Sequence, residues 1–149
     1  MAYFAPAYMR LLYRFLQLPE ESEHRLFAGV AVDARQLMQA DSTLSFEQQM
    51  AICRNALAIA EPGLGLRMGT QLQLAAHGAL GTAVQHADTL DLALDTFAEF
   101  VAARASFINV RKYLDGDRCV LELGIEELGD PQLDFVITQA KGQHELLLT

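Results

Sequence analysis

The sequence predicts an α+β fold that is rich in helix, with four to five helices packed on a small antiparallel sheet built around a hairpin at 107–125. Three observations carry this expectation. Apolar residues recur at helical spacing in several separate segments. One later segment, Phe107 to Ile125, alternates apolar and polar residues around Asp115-Gly116, a dipeptide suited to a two-residue hairpin turn. The chain has 149 residues, 52% of them hydrophobic. That length can bury roughly two-thirds of its unfolded surface, so a core forms without disulfides or metals.

In chain order, Leu11, Leu12, Phe15 and Leu16 share one helical face, with Arg10, Arg14 and Gln17 between them. This helix should end before Pro19. A second short helix is expected from Pro19, where the acidic run Glu20-Glu21-Ser22-Glu23 suits the positive end of a helix dipole. It carries Leu26, Phe27 and Val30. Residues 31–44 read as loop with a short strand or turn.

Ser45-Phe-Glu-Gln48 is a capping box, followed by Met50, Cys53, Leu57 and Ala60 on one face. Pro62-Gly63 ends that helix. Residues 63–69 read as a glycine-punctuated loop. Residues 71–86 read as helix again, although Gly78 and Gly81 each weaken it by about 1 kcal/mol. Asp88-Thr89 caps a strong helix that should bury Leu90, Leu94, Phe97 and Val101. Leu133 to Ala140 reads as the start of another helix.

A type I′ turn centred on Asp115-Gly116 sets Val110 opposite Leu121 and Ile108 opposite Leu123. It sets Asn109 opposite Glu122 and Tyr113 opposite Arg118. A three-residue loop would instead put Val110 opposite Glu122. Since a lone hairpin is marginal in water, something must complete or cover its edges. A short strand from 31–44, a partner chain or segments outside this sequence are the options.

The net charge of −8 disfavours a free-standing nucleic-acid binder, which needs a basic face to neutralise phosphates. The acidity is uneven, with −1 over residues 1–75 and −7 over 76–149. No run of about 18 uncharged apolar residues exists to span a membrane, and the N-terminus has no basic leader. Cytoplasmic residence is the expectation. Cys53 and Cys119 lie far apart, which rules out a disulfide framework. Both read as buried small hydrophobes or, alternatively, as reactive thiols.

Gly63, Gly65 and Gly69 match neither the P-loop nor the dinucleotide-binding spacing. His24, His77, His86 and His144 lack metal-ligand spacing. His77, among small apolar residues, is either a core or helix-interface histidine with one hydrogen bond, or a ligand contact in an internal cavity. A haem or metal ligand is a third, weaker option. No nucleophile elbow occurs. The acid pairs Glu126-Glu127 and Asp115/Asp117 sit in turns, where solvation accounts for them. No enzyme, cofactor or metal is expected. Gln71, Gln73, His77, Arg104, Asn109, Arg111 and Tyr113 are polar groups beside apolar segments, the composition of a small-molecule site if they converge.

One block carries more. Gly65-Leu-Arg-Met-Gly69 is followed by Leu74-Ala-Ala-His77-Gly78-Ala-Leu80-Gly81-Thr-Ala83, then Thr89-Leu90-Asp-Leu-Ala93-Leu94 and the hairpin. This order resembles the arabinose-binding-like N-terminal domain of AraC-type bacterial transcription regulators, in the subgroup akin to ornithine- and arginine-pathway regulators. The resemblance covers about residues 8–140 and is specific in the middle block, where Gly65, Gly69, Gly78, Gly81 and Thr89 look structural. It implies a sensor and dimerisation domain that binds a small-molecule effector and forms a homodimer. It also implies that residues 1–149 form one domain, cut before the family's last elements and before the C-terminal helix-turn-helix half. This fragment should not contact DNA itself. A ligand-free dimerisation or partner-binding module is the alternative, ahead of a haem-type sensor or small enzyme.

Overall fold

A computed structural model describes residues 4–39 and 41–126. It has the expected helix-rich α+β architecture, with one two-stranded antiparallel sheet among the described residues. These residues fall into two compact units, one within residues 5–71 and one made of Phe4 with residues 72–126. The helix expected at Leu133 to Ala140 lies outside the described residues.

The first unit is helical. α1 (Ala7–Leu16) ends with Gln17 in the left-handed region, ahead of Pro19 as the sequence requires. α2 (Glu20–Leu26) opens on its acidic turn but stops before Val30. The Tyr13 hydroxyl donates to the Glu23 carboxylate, which ties α1 to α2. That hydrogen bond, with some burial, holds the Tyr13 phenol above its ordinary pKa.

The segment expected to be loop or strand instead contains α3 (Ala34–Leu37). Its cause is a capping box: Asp33 Oδ1 accepts the Gln36 amide at 2.7 Å, and Gln36 Oε1 accepts the Asp33 amide at 3.0 Å. α4 (Phe46–Ile59) starts on the predicted box, in which Ser45 Oγ accepts from Gln48 N at 3.2 Å and Gln48 Oε1 from Ser45 N at 2.8 Å. Its buried residues are Phe46, Gln49, Met50, Ile52 and Ala56, so Ile52 lies deeper than Leu57. Asn55 Nδ2 donates to the carbonyls of Leu26 and Ala28, both at 2.9 Å, and so closes the end of α2 against α4.

The expected glycine loop is also helix, α5 (Leu64–Gly69). Arg67 reaches back to the carbonyls of Glu61 and Pro62, holding the entry to this short helix. Met9, Leu12, Leu26, Leu37, Met50, Ile52 and Ala56 form the buried core of this unit. Cys53 lies against Met9, sulfur to sulfur at 3.8 Å. Burial pushes its thiol up to about 12, so it packs as a small hydrophobe and is unreactive at neutral pH.

In the second unit the single helix expected over 71–86 is broken. A 3₁₀ turn (Leu74–His77) passes through Gly78 at φ +62°, ψ −135°, and α6 (Ala79–Gln85) begins there. A side chain rarely adopts that backbone, which is why the break falls on a glycine. α7 (Leu90–Phe100) is capped as predicted, with Thr89 Oγ1 accepting from Leu92 N at 3.1 Å. Its expected buried face is only partly so. Val101 is buried and Leu94 and Phe97 are half-buried, but Leu90 is 75% exposed. Leu90 stands on the first turn, at the end of the packed face.

The hairpin is β1 (Ile108–Asp115) and β2 (Arg118–Ile125). Its register differs from the expected one by two residues: Val110 faces Leu123, Arg111 faces Glu122 and Asp115 faces Arg118. The turn is therefore Gly116-Asp117, with positive φ on Gly116 alone, the pattern of a type II′ rather than a type I′ turn. A two-residue slip preserves parity, so every side chain keeps its face.

The gain is specific. Arg111 Nη2 meets Glu122 Oε2 at 2.6 Å, and the Asn109 side chain lies over Gly124, which has no Cβ to obstruct it. Lys112, 13% exposed, reaches from β1 to both Asp91 (2.7 Å) and Asp95 (2.6 Å), one turn apart on α7. These carboxylates hold the ammonium above its ordinary pKa and pin the hairpin to the helix. Cys119 is exposed, against expectation, as is Leu114, its cross-strand partner next to the turn. Phe4 bridges to Ala105 and stacks edge-on against Phe107, with ring centroids 5.7 Å apart.

Candidate functional site

The seven polar residues singled out in the sequence fall into separate places. Gln71 is exposed and belongs to the first unit. Gln73 is exposed ahead of the 3₁₀ turn and makes no side-chain cap. Asn109, Arg111 and Tyr113 share the outward face of β1. There Arg111 is engaged by Glu122 and lies 5.5 Å from the centre of the Tyr113 ring.

His77 and Arg104 come together. His77 ends the 3₁₀ turn, and Arg104 follows a second 3₁₀ turn (Val101–Ala103) after α7. Both are half-buried. Two glycines of the sequence block make this arrangement fit. A Cβ at Gly78 would lie 3.6 Å from Arg104 Nη1, so the guanidinium rests against bare backbone. A Cβ at Gly81 would lie 1.6 Å from the Leu74 carbonyl oxygen and 3.3 Å from His77 Cβ. Gly81 therefore sets the distance between α6 and the turn that carries His77.

Buried Leu80, Val101, Ala105 and Phe107 complete the apolar core of this unit. The result is a half-buried imidazole and a half-buried guanidinium presented from two 3₁₀ turns. Burial first, and the Arg104 charge second, hold His77 below its ordinary pKa. The imidazole is neutral at pH 7 and both donates and accepts hydrogen bonds, while Arg104 supplies a fixed positive charge.

A consequence is measurable. Above the ordinary histidine value of about 6.5, His77 is neutral in both folded and unfolded chains and contributes no pH dependence. As the pH falls through that value, the unfolded chain takes a proton that the folded chain resists, so stability drops. Urea denaturation at pH 7.5 and pH 5.5 should show a smaller acid loss for His77→Gln than for the wild type. Equal losses would contradict the burial of this ring.

The structure also holds a shallow, open groove of about 270 Å³ in the first unit, bordered by Val32, Gln36, Asp41 and Ser42. None of the expected residues lines it. It lacks the enclosing apolar wall of a small-molecule site. Among the described residues, no cluster of three His, Cys, Asp or Glu side chains could hold a metal, and no helix is long and apolar enough to cross a membrane.

The model of one family, the arabinose-binding domain found at the N-terminus of AraC transcription regulators, matches residues 22–147. The chain belongs to this family. No curated protein matches it. The family is a regulator's ligand-binding domain, not an enzyme family. The hairpin, α7 and the His77–Arg104 cluster of this arabinose-binding-type domain all lie within the matched span, whereas α1 precedes it.

Proposed function

We propose that the chain is the effector-sensing and dimerisation domain of a bacterial, cytoplasmic AraC-type regulator, with its effector at the His77–Arg104 cluster. The observation that carries this is the family match over 22–147, joined to a half-buried cation beside a half-buried imidazole held below its ordinary pKa. The proposed effector is an amino acid, with ornithine or arginine as the named choice.

The chemistry of the cluster supports a carboxylate-bearing ligand. A guanidinium takes a carboxylate through paired, charge-assisted hydrogen bonds. A cationic side chain on the same ligand would be favoured by the acidic second half of the chain. Effector binding would then act on DNA binding by the regulator, and residues 1–149 would make no DNA contact of their own.

Thermal denaturation with an amino-acid panel tests this. A ligand at 100 times its Kd stabilises the folded state by roughly 2.7 kcal/mol. L-Ornithine or L-arginine should raise the midpoint, and Arg104→Leu should remove the rise. A panel in which neither cationic amino acid shifts the midpoint would overturn the named effector.

A further inference from the structure

The outer edge of β2 is the strongest feature that the effector site leaves unused. Among the described residues the sheet has only β1 and β2, so β2 has one paired edge. The two-residue turn makes Asp115 and Arg118 a hydrogen-bonded pair, and the Glu126 amide donates to the Phe107 carbonyl at 2.9 Å at the other end. Alternation between these limits directs the backbone of Val120, Glu122 and Gly124 toward β1. That of Cys119, Leu121 and Leu123 is directed outward. Between Arg118 and Ile125 there is no proline and no lysine; Arg118 and Glu122 are its charged residues, and Cys119, Val120, Leu121 and Leu123 are apolar.

We propose that two copies of this chain pair through this edge, β2 against β2, antiparallel about a two-fold axis at Val120, to form one continuous four-stranded sheet. The proposal rests on the dimerisation part of the function above and names the surface that does it. Its occupant is chosen by charge. With the axis at Val120, Arg118 lies directly opposite Glu122 of the partner subunit, and the contact repeats by symmetry. The row across the sheet then reads Asp115, Arg118, Glu122 of the partner subunit, Arg111 of the partner subunit, with signs alternating throughout. Among the described residues no carboxylate lies within ion-pair distance of Arg118 in the single chain.

Neighbouring registers lose this match. An axis at Leu121 sets Arg118 opposite a glycine and Val120 opposite a carboxylate. An axis at Glu122 sets two glutamates face to face, which is destabilising. The Val120 register also covers exposed apolar groups. Tyr113 and Val120 continue into the same pair of the partner, a β-branched and aromatic ladder. Leu114, 74% exposed in the single chain, falls in a row with Cys119 and Leu121 of the partner subunit. The pairs Cys119–Leu121 of the partner subunit exchange backbone hydrogen bonds, because both residues point theirs outward.

Sedimentation velocity on the 149-residue chain at micromolar concentration tests this, with circular dichroism to verify that each variant is folded. The wild type should sediment as a dimer. Arg118→Glu alone and Glu122→Arg alone each create two like-charge contacts and should weaken the dimer by about tenfold or more. Their equimolar mixture should restore it, since in the mixed dimer both contacts between the subunits are again between opposite signs. A wild-type monomer would overturn both this surface and the dimerisation reading. A wild-type dimer that survives both single changes, or a mixture that stays dissociated, would overturn the surface alone.

Discussion

Gly81→Ala should destabilise the chain by about 3 kcal/mol or more, one of the two largest effects expected for a small substitution here. The added methyl would stand 1.6 Å from the Leu74 carbonyl oxygen. That oxygen belongs to the backbone of the 3₁₀ turn, and no rotamer change relieves the clash. Either α6 or the turn must move, and the turn carries His77. For a chain of this length the loss corresponds to a fall in melting temperature of roughly 10 °C.

Gly124→Ala is the control. Its methyl would meet the Asn109 side chain, but Asn109 is exposed and free to swing aside, so the cost should stay below about 1 kcal/mol. Differential scanning calorimetry on the two variants checks the contrast. Equal, small losses would show that α6 and the turn are not in the contact described.

The second large effect is Ile52→Ala. Ile52 has 0% exposure and lies on the face of α4 that packs in the first unit's core, which also holds Leu26 and Leu37. Removing its three outer carbons forfeits transfer free energy and leaves a cavity that rigid helices fill poorly, a loss of about 3 to 4 kcal/mol. Leu57→Ala, half-buried on the same helix, should cost distinctly less. Urea denaturation of the two variants decides it. A loss at Leu57 equal to or above that at Ile52 would mean that the apolar stripe read from the sequence, through Met50, Cys53 and Leu57, is the true buried face after all.

That stripe illustrates how far the sequence is legible. Helix starts announce themselves through local chemistry: Ser45 with Gln48, and Thr89 before Leu90, act as their spacing implies. Asp33 with Gln36 is the same signal, but the segment beyond it has too few apolar residues to show a helical period. Burial is harder to read than helicity, because it depends on what packs against a helix. Leu90 has the right spacing and still faces solvent.

The hairpin is a case of two local solutions. Leu114-Asp115-Gly116-Asp117-Arg118 offers a turn at Asp-Gly or at Gly-Asp, and both give the same faces. Cross-strand terms decide, through the Arg111–Glu122 ion pair and the fit of Asn109 over Gly124. Of the candidate site, the sequence supplied the residue types but not their grouping. Only the glycine break at Gly78 brings a turn residue, His77, within the influence of Arg104, and that break lies inside what reads as one helix.

On the proposed function, this domain holds its effector at the His77–Arg104 cluster. Nuclear magnetic resonance of the imidazole protons during titration with L-ornithine or L-arginine tests it most directly. The expected result is a saturable shift of the His77 resonances while those of His24 and His86 stay in place. Saturable binding that leaves His77 unmoved, or no binding at all, would contradict it.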